Sequence, residues 1–300
     1  MTPGRILVGT CSWTDATLVK QTDWYPKRSM TAAERLAFYA ARYPIAEADS
    51  TYYFPPSRDL ARSWVEHSPD GFTFNVKGYS LLTGHPTRPE SLWPDIRGAI
   101  KEEFAGKRNA YRDHLPSDAV EEVWRRFADA LEPLRVAGKL GAILLQYPTW
   151  FTPKRANREE LAHVRERLAG DRVCVEFRTP RWLADDECDR TLGLLSDYDL
   201  TLVVVDAPPA SGLPVVCAST TPELAVVRFH GRADDTWSAR TTTAAERFRY
   251  LYSNDELREW VPRLRQLAAE AKQVHALMNN CYQDYGVRNA ADLQSLLAGE

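Results

Sequence analysis

Short β-branched apolar runs alternate along this chain with longer stretches in which apolar residues recur every three or four positions, the pattern of repeated strand–helix units over a parallel sheet. Eight runs read as strands: 6–10, 45–50, 72–76, 142–146, 173–177, 202–206, 225–229 and 275–279. The intervening periodicity predicts helices over 31–42, with Leu36, Phe38 and Tyr39 apolar, and over 119–136, with Val120, Val123, Trp124, Phe127 and Leu131. Later, Asn254 or Asp255 caps a helix running through Leu267, and a helix over 290–297 closes the chain.

An open doubly wound sheet shares this alternation but commonly carries a Gly-rich phosphate turn after its first strand, where this chain reads GTCSW. The closed alternative fits better, since a β/α barrel needs roughly 250 residues and insertions add to that. No Gly/Ser-rich linker and no tandem repeat divides the sequence. The expectation is a single (β/α)8 TIM-type barrel domain over 1–300, with loop insertions after strands 3, 6 and 7 at 79–116, 207–223 and 231–246. Such insertions extend from the strand ends where barrel enzymes build their sites.

Polar and ionisable residues sit at nearly every strand end. They are Glu47 and Asp49, Lys77, Gln146, Glu176 and Arg178, Asp206, Arg228 and His230, then Asn279 and Asn280. Residues two apart on a strand share a face, so Glu47 with Asp49, Glu176 with Arg178, and Arg228 with His230 are same-side pairs. A buried charge is either paired or used on a ligand. One reading is therefore a structural network in which Arg178 and Arg228 neutralise Glu47, Glu176 and Asp206. The other is a site, favoured for the ring as a whole because so many buried charges are costly without a ligand role.

In the site reading Glu47, Lys77, Glu176, Asp206 and His230 are the catalytic candidates. Lys77, delivered by FTFNVKG, suits an anion contact or proton transfer, with imine formation a further chemistry of a lysine so placed. His230 in VRFHG suits acid–base work, or is a satisfied loop histidine. Glu47, Asp49, Glu176, Asp206 and His230 are also of the right type for a divalent metal such as magnesium, manganese or zinc. No H-x-H or H-E-x-x-H pattern accompanies them, and Arg and Lys compete for the same carboxylates, so no metal ligand is assigned. Trp13, Trp24, Tyr25, Tyr52, Tyr53, Tyr147, Trp182, Trp237, Tyr250 and Tyr252 follow strands or lie in the insertions, where rings stack on a ligand ring or pack helices on the barrel. A nucleophilic triad finds little support, since Cys11 and Ser12 lack a G-x-S-x-G elbow.

Charge and cysteine usage narrow the classes. Net charge is -3, from 38 basic and 41 acidic side chains with no long run of one sign. That predicts no general polycation surface, leaving nucleic acid as a partner only through a local basic groove. The first strand begins too early for a signal peptide, and no apolar stretch approaches the roughly 18 residues of a membrane span, which predicts a cytoplasmic protein with no membrane partner. The five scattered cysteines contain no C-x-x-C pair and read as reduced thiols.

The succession GTCSW (9–13), WYP (24–26), EADSTYYFPP (47–56), Trp64 with PDGFTFNVK (69–77), LLQYP (144–148), VEFRTPRW (175–182), VVVD, VRFHGR, YLYS and NN resembles the domain-of-unknown-function 72 family, also called YecE-like proteins. The resemblance runs in order over nearly the whole chain. It implies a (β/α)8 barrel, an intracellular bacterial or archaeal setting, and no settled reaction. Positions matching the family's pocket are Trp13, Glu47, Lys77, Gln146, Glu176, Arg178, Asp206, Arg228, His230, Tyr250 and Asn279, of which Trp13, Gln146, Arg178, Arg228, Tyr250 and Asn279 are the substrate-binding candidates. Two departures stand out. The family's Thr-His pair after the strand-three lysine is interrupted here by Gly84, so His85 is not carried over, and Ser12 replaces the usual Gly before Trp13.

Three functions follow as expectations. The first is an acid–base hydrolase or lyase on a polar, anionic, ring-bearing small molecule, such as a phosphorylated sugar, nucleotide or nucleic-acid end. The second is a metal-dependent phosphoesterase or nuclease on the same barrel. The third is a ligand-binding protein without turnover. Oligomeric state is not written in the sequence.

Overall fold

The computed structural model describes residues 2–238 and 244–299. Eight strands, β1 (Arg5–Thr10), β2 (Ile45–Ala48), β3 (Thr73–Lys77), β4 (Leu140–Tyr147), β5 (Val173–Phe177), β6 (Leu200–Asp206), β7 (Leu224–Phe229) and β8 (Gln273–Met278), pair in sequence order into a closed barrel. All pairings are parallel, and β8 closes on β1 in continuous register from Arg5↔Gln273 to Thr10↔Met278. With helices between the strands, this is a TIM-type (β/α)8 barrel, as expected. Among the described residues no helix is long and apolar enough to cross a membrane.

The two faces of each strand pack separately. Leu7, Cys11, Ile45, Ala142, Leu144, Cys174, Val203, Val205, Leu224, Val226 and Leu277 fill the barrel, while alternate residues such as Val76, Ile143 and Val204 pack under the helices. Each fully buried aliphatic side chain contributes roughly 1.5–3 kcal/mol. Pairing is irregular at two seams: β3–β4 shifts register between Phe74 and Asn75, and β1–β2 has a single register pair, Thr10↔Ala46. A Cβ on Gly9 would stand 2.0 Å from the Ile45 carbonyl oxygen, so only glycine permits this approach. The Tyr39 hydroxyl repairs the seam: it accepts from the Thr10 backbone N–H at 2.8 Å and donates to the Ile45 carbonyl at 3.0 Å.

Helix boundaries differ from the periodicity where caps and prolines intervene. The first predicted helix is Ala32–Ala40, started by a Thr31–Glu34 capping box. The second is two helices, Ser117–Ala130 and Glu132–Val136, because Pro133 lacks the N–H that a continuous helix would use. The third also divides, into Asn254–Arg258 and Trp260–Glu270. Its cap is Ser253, in a capping box with Glu256, rather than Asn254 or Asp255. The last helix begins earlier, at Tyr285, and runs to Gly299.

Candidate active site

Because β4, β5, β7 and β8 keep strict alternation, Gln146, Glu176, Arg178, Arg228, His230 and Asn279 continue the inward-facing rows of Leu144, Cys174, Val226 and Leu277. Glu47 and Lys77 do the same on β2 and β3. Polar side chains thus follow the apolar filling at the carboxyl end of the barrel. They form two tiers.

The lower tier is sealed. Arg228, 1% exposed, donates through Nη1 to Glu176 and through Nη2 to Glu47 at 2.7 Å, and both carboxylates are fully buried. Arg178 Nε lies 2.6 Å from the other Glu176 oxygen. Arg228 Nη2 also donates to Asn279 Oδ1 at 3.1 Å, and the Asn279 amide lies 2.6 Å from His230 Nδ1. With its oxygen turned to the guanidinium, Asn279 presents N–H to His230, so Nδ1 accepts and the ring proton sits on Nε2, 3.2 Å from Glu176 Oε1. Glu47 Oε2, by contrast, is buried without a hydrogen-bond partner among the described residues.

The electrostatics follow from this geometry. Burial alone would raise the Glu176 carboxyl, but the Arg178 and Arg228 guanidiniums and His230 hold it well below the usual carboxylate range. Burial would likewise lower Arg228, yet Glu176 and Glu47 keep it well above its ordinary value. His230 is pushed down to about 3 by burial and the nearby Arg178, so it is neutral at physiological pH. Two carboxylates and two guanidiniums balance one another.

The upper tier opens on a cavity of about 660 Å³, within the range of roughly 300–1,000 Å³ that holds small molecules. Strand ends supply Cys11, Asp49, Lys77, Gln146, Arg178 and Asn279. Loops supply Asp15, Tyr52, Tyr53, His85, Trp150, Trp237, Arg247 and Phe248, with Ala210, Ser211 and Leu213 from the segment after β6. Arg178 donates to Gln146 Oε1 at 3.1 Å and lies 5.4 Å from the Trp237 ring centre.

Two wall residues stand apart. Lys77 Nζ and the Asp49 carboxyl make no hydrogen bond or ion pair with any described residue. Among the described residues the ammonium lies over the Tyr52 ring, 4.7 Å from its centre. Burial, reinforced by Arg228, lowers Lys77 from its ordinary value despite Glu47 and Glu176. Burial raises Asp49 to about 6, against the pull of Lys77 and with help from Glu47 and Asp15.

Three sequence candidates lie elsewhere. Asp206 has the parity of Val204, not of Val203 and Val205, and so faces the helices. It accepts from Arg232 at 2.9–3.2 Å and from Trp260 Nε1 at 2.5 Å. Trp13 packs edge-on against Trp64 and Phe74 in the outer core. Tyr250 covers Gly231, and its hydroxyl donates to Glu256. Asn280 turns outward too, donating to the Tyr250 carbonyl and to Asn289, both at 2.8 Å. Of the proposed aromatic rim, Tyr52, Tyr53 and Trp237 reach the cavity, whereas Tyr147, Trp182 and Tyr252 are buried in packing. Part of the third insertion, 239–243, lies outside the described residues.

His85 is a gain over the sequence reading. Gly84 adopts φ +72°, a turn that folds His85 Nδ1 to within 2.8 Å of Thr83 Oγ1, so the Thr–His pair forms across the inserted glycine. The imidazole packs edge-on against Tyr52 and Trp150, and burial with nearby Lys77 lowers it to about 4. As for metals, among the described residues no group of three or more His, Cys, Asp or Glu side chains is placed to hold an ion. The Glu47 and Glu176 carboxylates instead meet guanidinium groups.

Comparison with known proteins follows the barrel end to end. The UPF0759 protein YunF of Bacillus subtilis (strain 168) is 27% identical over 281 residues, covering 92% of this chain and 88% of the relative. A DUF72 family protein of Enterococcus faecalis V583 superposes with a TM-score of 0.78 at 25% identity, covering 98% of this chain and 95% of that one. A DUF72 family protein of Thermotoga maritima MSB8 gives a TM-score of 0.75 at 27% identity, with 98% and 99% covered. A family model described as "Protein of unknown function DUF72" matches residues 7–300, and the chain therefore belongs to the DUF72 family.

Proposed function

We propose that this protein is an acid–base enzyme of hydrolase or lyase type, acting on a polar, anionic, ring-bearing small molecule bound at the carboxyl end of the barrel. The observation that carries the reading is the contrast between the tiers. The lower charges compensate one another, whereas Lys77 and Asp49 line the cavity with no partner among the described residues. Both side chains are half-buried; leaving two ionisable groups unpaired there is costly, and such groups cluster where a ligand or a reaction uses them.

In this reading Asp49, raised to about 6, donates a proton to a departing oxygen, and Lys77 faces the reacting centre from the end of β3. Arg178 orients the substrate anion, and Tyr52 and Trp237 flank the ring. Glu47, Glu176 and His230 act from beneath as positioning residues, fixing Arg178 and Arg228.

Steady-state kinetics over sugar phosphates, nucleotides and short nucleic-acid ends tests it. Asp49→Asn is expected to lower kcat by about 10²–10⁴ on any accepted substrate, and Lys77→Met to lower kcat/KM. Wild-type turnover in both variants overturns the assignment.

A further inference from the structure

We propose that Lys77 is a nucleophile that forms an imine with the carbonyl group of its substrate, so that the substrate class is an anionic aldehyde or ketone. The proposal rests on the acid–base reading above and narrows its chemistry.

Four features of the cavity carry it. The Lys77 amine faces the open volume from the end of β3 and has no carboxylate within ion-pair distance among the described residues; its neighbour is the Tyr52 ring. Two buried carboxylates that attract it, Glu47 and Glu176, are bonded to Arg228, and Glu176 also meets Arg178. Neither reaches ion-pair distance of the ammonium. Asp49 shares the same wall, which supplies the carboxylic acid that imine formation needs. Finally Arg178 lines the cavity with only one edge engaged by Gln146 and Glu176, so an oxo-acid or keto-phosphate has a cation for its anionic end. The lowering of Lys77 by burial agrees with this, since only the neutral amine attacks a carbonyl.

The step balances. The nitrogen lone pair attacks the carbonyl carbon and the C=O π pair moves to oxygen, which takes the proton released by nitrogen. Asp49 gives a second proton to that oxygen, water departs, and the nitrogen lone pair closes the C=N bond as an iminium. Asp49 is left as carboxylate. An iminium withdraws electrons from the adjoining carbon, as bond cleavage in a lyase requires.

Competitive reductive alkylation tests this directly. The intact protein is treated at pH 7 with pyruvate and cyanoborohydride, and all eight lysines are followed by peptide mass spectrometry. Lys77 is expected to acquire the adduct at least about tenfold faster than exposed Lys20 and Lys27. Arg178→Gln is expected to slow labelling by pyruvate more than labelling by uncharged acetone. Lys77 reacting no faster than Lys20 and Lys27 overturns the proposal. If that happens while Asp49→Asn still loses turnover, the imine is wrong and the acid–base reading stands. If Lys77 labels selectively but Asp49→Asn turns over normally, the acid–base reading fails and the reactive amine stands. A circular dichroism spectrum of Lys77→Arg, matching wild type while its adduct vanishes, confirms that the label reports this residue rather than an altered fold.

Discussion

Arg228 and Glu176 are hydrogen-bonded inside the barrel with the guanidinium 1% exposed and the carboxylate fully buried. Arg228 is also the partner of Glu47, so this cation bridges both buried anions, with Arg178 the second cation of the cluster. Arg228→Met is therefore expected to lower the unfolding free energy by about 3–5 kcal/mol, because it leaves Glu47 without a counter-ion. Adding Glu47→Gln to that variant leaves Glu176 paired with Arg178, removes the one uncompensated charge and is expected to recover much of the loss. Urea unfolding of the single and double variants checks this, and additive losses would show that Arg228 and Glu47 are not coupled.

Lys77 and Asp49 lead to the opposite sign. Each is a charge held in the cavity wall without a partner, so removing it relieves a desolvation cost. Lys77→Met and Asp49→Asn are each expected to raise stability by roughly 1–2 kcal/mol at pH 7 while impairing turnover, the pattern of a site that trades stability for function. Thermal unfolding at pH 7 measures it. A destabilised Asp49→Asn would reveal a structural bond to that carboxyl.

The eight strands were legible because each is a short β-branched run between helical periods, and Glu176 with Arg178 was legible as a pair because residues two apart share a face. Asp206 was not. It ends a run, LVVVD, that is apolar on both faces, so the sequence offers no alternation from which to tell inside from outside. His85 was hidden for another reason: its pairing with Thr83 depends on the left-handed turn at Gly84, which no spacing rule contains. Trp150 and Phe248 enter the cavity from loops, where periodicity carries no directional signal. What parity missed most was depth, since Glu47 and Lys77 share the inward direction yet only Lys77 reaches the cavity.

Acid is expected to destabilise the fold above the ordinary carboxylate range. His230 and His275 are lowered to about 3 and His85 to about 4, in each case chiefly by burial. In the unfolded chain they titrate near 6.5, so below that pH the unfolded state binds more protons and stability falls as pH falls. Asp49 acts in the opposite sense, since its raised value lets the folded state hold the extra proton between its ordinary 3.8 and about 6. With three histidines against one carboxyl, the net difference near pH 5 approaches two protons, or about 3 kcal/mol per pH unit. Urea midpoints are expected to be level from pH 8 to 7 and to drop steeply between pH 6 and 4.5. A level profile down to pH 5 would mean that these imidazoles are charged in the native state.

Asp206 separates structural from catalytic carboxylates. Its two oxygens accept from Arg232, and one of them also takes the Trp260 indole N–H, tying the end of β6 to the loop after β7 and to the helix Trp260–Glu270. Asp206→Ala leaves the buried indole N–H without an acceptor and Arg232 without its main partner, which is expected to cost about 2–4 kcal/mol. Because the side chain faces away from the cavity, kcat and KM of the folded variant are expected to match wild type on any substrate that Asp49→Asn fails to turn over. The two measurements are made on the same preparations, unfolding in urea and kinetics at a temperature where both variants are folded. Unchanged stability with lost turnover in Asp206→Ala would move this residue from the outer shell of the barrel into the site.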